Sequence, residues 1–164
     1  MGKVTSFEEL YRRFAPDVFR FALYLSADRA MAEDITSETF VRAWTSPSAI
    51  RTATVKAYLL AIARNLYVDE KRRRRRDTEL PESLPDRSDL ARMTGMRDAL
   101  ERASQELQKI PEGYRTALLM WAQEEMTYEE IAAALGISLA AVKTRIFRAR
   151  LRLAELKEVL QWKA

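Results

Sequence analysis

Apolar residues recur at three- and four-residue steps over most of this chain, the period of helices that bury one face. Between residues 6 and 26, Phe7, Leu10, Tyr11, Phe14, Val18, Phe21 and Leu25 keep that step behind Ser6, a candidate cap. Pro16 predicts a break near the middle of this helix. A second helix is expected from about Ala30 to Trp44, burying Ile35, Thr39 or Phe40, Ala43 and Trp44 and exposing Asp34, Glu38 and Arg42. The segment Thr45 to Thr54, with Ser46-Pro47-Ser48 inside it, predicts a loop. A third helix, from about Val55 to Arg74, should bury Tyr58, Leu59, Ile62 and Leu66, with Val68 at its margin. These segments make an amino-terminal domain of three or four helices.

From Asp77 to Asp89 the periodicity lapses among two prolines and several acids, which marks a flexible linker. Helical pattern resumes by about Met93 and runs through Leu107. It stops near Ile110-Pro111, and Pro111 suits the first turn of a helix over Glu112 to Gln123. Next, Ile131, Ala134 and Leu135 recur at helical spacing, Gly136 can take the left-handed conformation that ends a helix, and Ser138 can cap its successor. The expected fold is therefore all-α: two small helical domains, residues 1–76 and 101–164, joined by a flexible acidic linker over 77–100, the second containing a helix-turn-helix.

On the last helix Val142, Ile146, Ala149 and Leu153 share one side, and Lys143, Thr144, Phe147, Arg148 and Leu151 lie around the other. Lys and Arg pair with guanine acceptors, and an aromatic ring presses on a thymine methyl, so this outer face has the chemistry of major-groove reading. Arg145, Arg150 and Arg152 on the flanks suit phosphates. The alternative is an amphipathic helix with a solvated basic face.

Charge sharpens this picture. Residues 1–76 hold 15 Lys and Arg against 9 Asp and Glu, and residues 138–164 hold 7 against 2, giving +6 and +5. Between them, residues 77–100 and 101–137 carry −3 and −4. Two basic surfaces flank an acidic interval, as expected of a protein that touches nucleic acid at two places and something else between. With no cysteine and no histidine, disulfides, ordinary zinc sites, thiol nucleophiles and histidine acid-base catalysis are excluded, and no glycine-rich phosphate loop is present. Neither an enzyme nor a bound cofactor or metal is expected. No run of about 18 apolar residues and no secretory signal is found, which predicts a soluble cytoplasmic chain without membrane insertion.

The segments Ala32 to Trp44 and Tyr58 to Asn65, with Asp69 and Arg72-Arg73, followed by Ile110 to Arg115, Met126 to Ala132 and Val142 to Arg150, resemble in order and spacing the bacterial sigma-70 family. The resemblance is to its small two-domain, extracytoplasmic-function class. Two departures are Ser37, where the family commonly has Gln, and Tyr58, where it commonly has Trp. The chain ends soon after the helix-turn-helix, so no accessory carboxy-terminal regulatory domain is expected.

The resemblance implies a partner, core RNA polymerase, met through the clamp coiled coil of its largest subunit and the flap of its second-largest. Asp34, Ser37, Glu38 and Arg42 would form the polymerase-binding face, although an ordinary solvated helix face accounts for the same residues. Ile50, Arg51, Asn65, Asp69, Arg72 and Arg73 would serve the minus-ten element, capturing an extruded base and holding nearby phosphates. Asn65 equally fits a residue bonded within its own helix. Lys143, Thr144, Arg145, Phe147 and Arg148 would read the minus-thirty-five element. The acidic linker would thread the polymerase cleft towards the RNA exit path, or serve only as solubilising disorder. An anti-sigma factor is a further partner that members of this class commonly have.

Two other functions compete: a stand-alone dimeric helix-turn-helix regulator, binding palindromic DNA without polymerase, and a protein-interaction adaptor with incidental basic patches. Neither accounts for the paired motifs in the two halves.

Overall fold

Ser6 starts the first helix by accepting a hydrogen bond from the Glu9 backbone N–H at 3.1 Å, and α1 then runs unbroken over Phe7–Ser26. The computed structural model describes residues 6–45, 54–77 and 96–159. The break predicted at Pro16 does not occur. A proline inside a helix costs about 3 kcal/mol. Leu10, Val18, Phe21, Ala22 and Leu25 are buried on both sides of it, and each large apolar side chain buried returns about 1.5–3 kcal/mol. Pro16 itself lies on the exposed side, where water can meet the carbonyl it leaves unpaired.

Helix α2, Arg29–Thr45, begins where the Asp28 carboxylate accepts from the Met31 N–H at 3.0 Å. It buries Met31, Ala32, Ile35, Thr36, Thr39, Phe40 and Ala43. Thr39 and Phe40 are thus both inside, and Thr36 and Thr39 satisfy their hydroxyls by donating to the carbonyls of Ala32 and Ile35. Trp44, expected in the core, is 47% exposed. It stands about 100° around the helix from Ala43 and meets the Phe7 ring edge-on at 5.9 Å.

Helix α3, Val55–Asp77, buries Ala57, Tyr58, Leu59, Leu60, Ala63 and Tyr67. Ile62 and Leu66, expected inside, and Val68, expected at the margin, are partly buried against that core. The expected 45–54 loop lies outside the described residues apart from its two ends.

Helix α4, Met96–Leu107, opens within the range assigned to the linker, most of which lies outside the described residues. Pro111 precedes α5, Glu112–Leu118, as its cap. The expected helix to Gln123 is not all α: Leu119–Gln123 forms a π-helical turn, followed by Glu125 at φ 56°. Thr127 and Glu130 form a reciprocal capping box at the start of α6, Tyr128–Leu135. Gly136, at φ 65°, ends it in the left-handed conformation expected from sequence. Ser138 then accepts from the Ala141 N–H at 3.1 Å and starts α7, Leu139–Val159. This is the predicted helix-turn-helix.

The two halves pack together. One apolar cluster runs from Leu10 and Phe21 through Tyr67 to Met120, Ile131 and Ile146. Its rim is polar. Arg115, only 4% exposed, donates to the Leu25 carbonyl at 3.1 Å, the Ile110 carbonyl at 2.6 Å and the Tyr67 hydroxyl at 2.8 Å. Glu124, whose side chain is fully covered, receives Arg20 at 3.1 and 3.2 Å and Lys56 at 3.1 Å. Arg64 meets Glu112 at 3.4 Å, and Gln108 donates to the Leu25 carbonyl at 3.0 Å. The hydrogen bond to Glu124 is the first cause holding the Arg20 guanidinium above its ordinary value.

Burial pushes the Tyr67 hydroxyl above its ordinary value of 10.0, against the opposing pull of Arg115. A group that holds its proton more tightly when folded contributes stability that is complete below pH 10.0 and is lost as pH rises through the raised value. In denaturant melts above pH 10.0, wild type should lose stability faster than Tyr67→Phe. Parallel curves would show that Tyr67 is not desolvated in solution. Lys71, present in both chains, cancels from the comparison.

Candidate nucleic-acid interface

Helix α7 is held from behind. Val142, Ile146 and Ala149 are buried and Leu153 partly so, as expected, which fixes how the opposite side is presented. Lys143, Thr144, Phe147 and Arg148 are all exposed, Phe147 to 62%, beside Leu151 at 50%. A phenyl ring left in water on a helix so anchored costs apolar hydration and invites a partner. Thr144 donates to the Ala140 carbonyl at 3.0 Å, leaving its oxygen able to accept.

Two neighbours of this face escaped the sequence reading. The Tyr114 hydroxyl on α5 accepts from Arg148 Nη1 at 2.9 Å, and the guanidinium sits 5.8 Å from that ring's centre. Arg148 is therefore positioned before any ligand arrives. Gly113 lets Arg145 lie close: a Cβ there would meet Arg145 Nη1 at 3.3 Å. Arg150 packs over Trp121 at 5.6 Å, and Arg152 is exposed. The signal for Tyr114 is weak in sequence, because its contact crosses 34 residues.

On α3, Asn65, Asp69, Arg72 and Arg73 stand at i, i+4, i+7 and i+8, and all four are exposed as one outward stripe. The Asn65 side-chain oxygen accepts from Arg64 Nη1 at 3.3 Å, and the Arg73 guanidinium meets Glu70 at 2.8 Å. Ile50 and Arg51 lie outside the described residues. The basic run behind this stripe is not uniform. Lys71 is partly buried over the Tyr67 ring at 5.8 Å, and burial, then Arg74 and Arg115, lower its ammonium below the ordinary lysine value. Arg74 bridges Glu70 and Asp28 at 3.2 Å, whereas Arg72, Arg73 and Arg76 point outward.

Asp34, Ser37, Glu38 and Arg42 are exposed together on α2, with Arg42 Nε 3.1 Å from Glu38. Val41 and Trp44 extend that face with apolar surface. Among the described residues, no helix is long and apolar enough to cross a membrane.

Comparison with known proteins places this chain in a family. Residues 10–77 match the family model Sigma-70 region 2, and residues 100–153 match Sigma-70, region 4. The ECF RNA polymerase sigma factor SigM of Bacillus subtilis is 31% identical over 155 residues, covering 91% of this chain and 93% of that protein. SigE of Mycolicibacterium smegmatis is 34% identical over 159 residues, covering 92% of this chain and 61% of that protein. Among solved structures, the sigma factor RpoE of Bartonella quintana, in complex with the anti-sigma factor NepR, superposes with a TM-score of 0.75 at 26% identity. That superposition covers 96% of this chain and 98% of RpoE.

The two kinds of residue on α7 should separate in DNA titrations at several salt concentrations. Arg152→Gln should weaken binding to all sequences alike and reduce the salt slope by about 0.9. Phe147→Ala should leave the slope unchanged and lower the preference for the best site by about 1–3 kcal/mol. A reduced slope on Phe147→Ala would mean that this face is not the one on the bases.

Proposed function

Given that the chain belongs to the extracytoplasmic-function branch of the bacterial sigma-70 family and is an RNA polymerase sigma factor, we propose how its residues divide the work of initiation. Residues 1–76 form the domain that binds core polymerase and opens the minus-ten element, residues 77–100 connect, and residues 101–164 read the minus-thirty-five element. The two outward stripes carry this reading, one on α3 and one on α7, each within a matched region and each lacking apolar cover from its own fold.

The exposed α2 residues Asp34, Ser37, Glu38 and Arg42 meet the clamp coiled coil of the largest subunit. Two acids and one arginine on this face favour a polar helical partner, and Trp44 beside them adds an aromatic anchor. The 101–164 domain meets the flap of the second-largest subunit.

Lys143, Thr144, Phe147 and Arg148 contact base edges, and Arg145 contacts phosphates. At the minus-ten element Asn65 and Asp69 offer an amide and a carboxylate to the edge of an extruded base, with Ile50 as apolar wall. Arg51, Arg72 and Arg73 hold neighbouring phosphates. Extrusion costs a few kcal/mol, which these contacts offset only in the melted state. The protein thus acts by binding the open promoter better than the duplex, while polymerase forms the phosphodiester bonds. Each weak half-site raises the effective concentration of the other. This activity belongs in the cytoplasm, and an anti-sigma factor is a partner by analogy with RpoE.

The test is transcription by purified core polymerase on a genomic fragment library, with the RNA starts sequenced. Discrete new starts with shared upstream elements should appear with this protein and be lost with Asn65→Ala or Arg148→Ala. Salt-sensitive binding to palindromic DNA with no new starts would favour the stand-alone regulator. Replacing the acidic linker by Gly and Ser of equal length should lower productive initiation. Unchanged output would reduce the linker to a tether.

A further inference from the structure

Helix α7 is gripped by two aromatic rings as well as by its apolar side. Ala149 is buried together with Ile110 and Leu118, and Tyr114 and Trp121 pack around the same small core. With nothing beyond its Cβ, Ala149 lets α7 come close to α5 at this point. Its sequence neighbours, Arg148 and Arg150, stand about 100° to either side of it on the helix, so they leave the contact in opposite directions. Each guanidinium then lies over one ring. Arg148 is 5.8 Å from the centre of Tyr114, and Arg150 is 5.6 Å from the centre of Trp121. Tyr114 comes from α5 and Trp121 from the π-helical turn that follows it, so one continuous stretch of chain supports both arginines.

The two supports differ by one bond. The indole N–H of Trp121 can only donate, as can a guanidinium, so Trp121 offers Arg150 its ring face alone. The Tyr114 hydroxyl accepts from Arg148 Nη1 at 2.9 Å. A guanidinium that is only stacked can slide and turn over the ring, whereas one also bonded through a chosen nitrogen is fixed in its plane. This bond takes one of the two Nη1 hydrogens. Among the described residues Nε and Nη2 of Arg148 donate to nothing else, and that edge carries the pair of parallel N–H groups that matches guanine O6 and N7. Of Lys143, Thr144, Phe147 and Arg148, only Arg148 is bonded to a side chain of another helix among the described residues, since Thr144 donates back into α7. A long side chain ordered in advance gives up less freedom when it meets its ligand.

We propose that Tyr114 is a positioning residue for promoter reading: its hydroxyl holds Arg148 so that the Nε and Nη2 edge meets one guanine, while Trp121 holds Arg150 for a phosphate. This rests on the proposed placing of α7 in the major groove of the minus-thirty-five element. Phosphate contacts carry no sequence information and base-edge contacts do. An Arg148 released from Tyr114 can swing to a phosphate, so the hydroxyl contributes to preference among sequences more than to attraction for DNA. A ring without a bond suffices for Arg150, because a phosphate accepts a guanidinium from many directions. Gly113, beside Tyr114, extends the same support to Arg145, which lies where a Cβ would crowd its Nη1 at 3.3 Å.

The test is selection from a pool of random-sequence duplexes by the full-length chain with core polymerase, sequencing the bound DNA to obtain the preference at each base position. Wild type should show a position where guanine is favoured and where Arg148→Ala abolishes the preference. Tyr114→Phe keeps the ring and its packing, and should lower that one preference about fivefold, the worth of a single hydrogen bond, with the other positions unchanged. In the Arg148→Ala background, Tyr114→Phe should change nothing further, which marks a residue acting through another. Trp121→Phe and Arg150→Gln should each weaken binding to all sequences alike. An unchanged guanine preference in Tyr114→Phe, an equal loss at every position, a further loss in the double variant or a base-specific loss in Trp121→Phe overturns the proposal and leaves the reading of α7 in place. No enriched sequence, or an Arg148→Ala variant that keeps every preference, overturns the reading of α7 and the proposal with it.

Discussion

Two charged side chains withdrawn from water, Arg115 and Glu124, set the arrangement of everything else in this protein. Neither can be buried unless it is met by partners, since an unmatched charge in a protein interior costs several kcal/mol. Their partners lie on the other half of the chain: Leu25 and Tyr67 for the first, Arg20 and Lys56 for the second. The relative position of the two halves is thereby defined to within hydrogen-bond tolerances, more narrowly than apolar contact alone would define it. Apolar surface accounts for why the halves meet, and the charges account for why they meet in one way.

This constraint also decides which surfaces stay outside. Helix α3 presents two faces, one given to region 4 through Lys56, Arg64 and Tyr67, the other carrying Asn65, Asp69, Arg72 and Arg73. Helix α7 turns Val142, Ile146 and Ala149 inward and Phe147 outward. On α3 the face given to region 4 and the outward stripe are joined by Arg64, which touches both Glu112 and Asn65.

Much of this was legible in the sequence because it is local. Helical period, the left-handed Gly136 and the Ser138 cap depend on neighbours within four residues, and each was found where expected. The errors came where distant contacts override local preference. Pro16 fails to break α1 because burial along the whole helix outweighs its cost. Trp44 stays at the surface, about 100° around α2 from the buried Ala43, and packs against Phe7 of α1. The π-turn after Leu118 was not read from the sequence, and Tyr114 acts through a partner 34 positions away. At the candidate interface the outward residues of α7 could be read from periodicity, whereas the support beneath Arg148 and Arg145 could not.

The alternation of charge along the chain acquires a mechanical meaning from these contacts. A basic stretch of +6, an acidic one of −4 over residues 101–137 and a basic tail of +5 resemble two DNA-binding surfaces with a spacer between them. In the folded chain the acidic stretch supplies Glu112, Glu124 and Glu130 to Arg64, to Arg20 and Lys56, and to Thr54 of the first half. Acids placed there satisfy region 2 where the two halves pack. They also make α5 and α6 poor company for phosphates, which favours α7 as the helix proposed to meet the duplex. One run of carboxylates thus serves the packing of the two halves and agrees with the proposed choice of α7 as the helix that meets the duplex, and a single change of sign within it would bear on both.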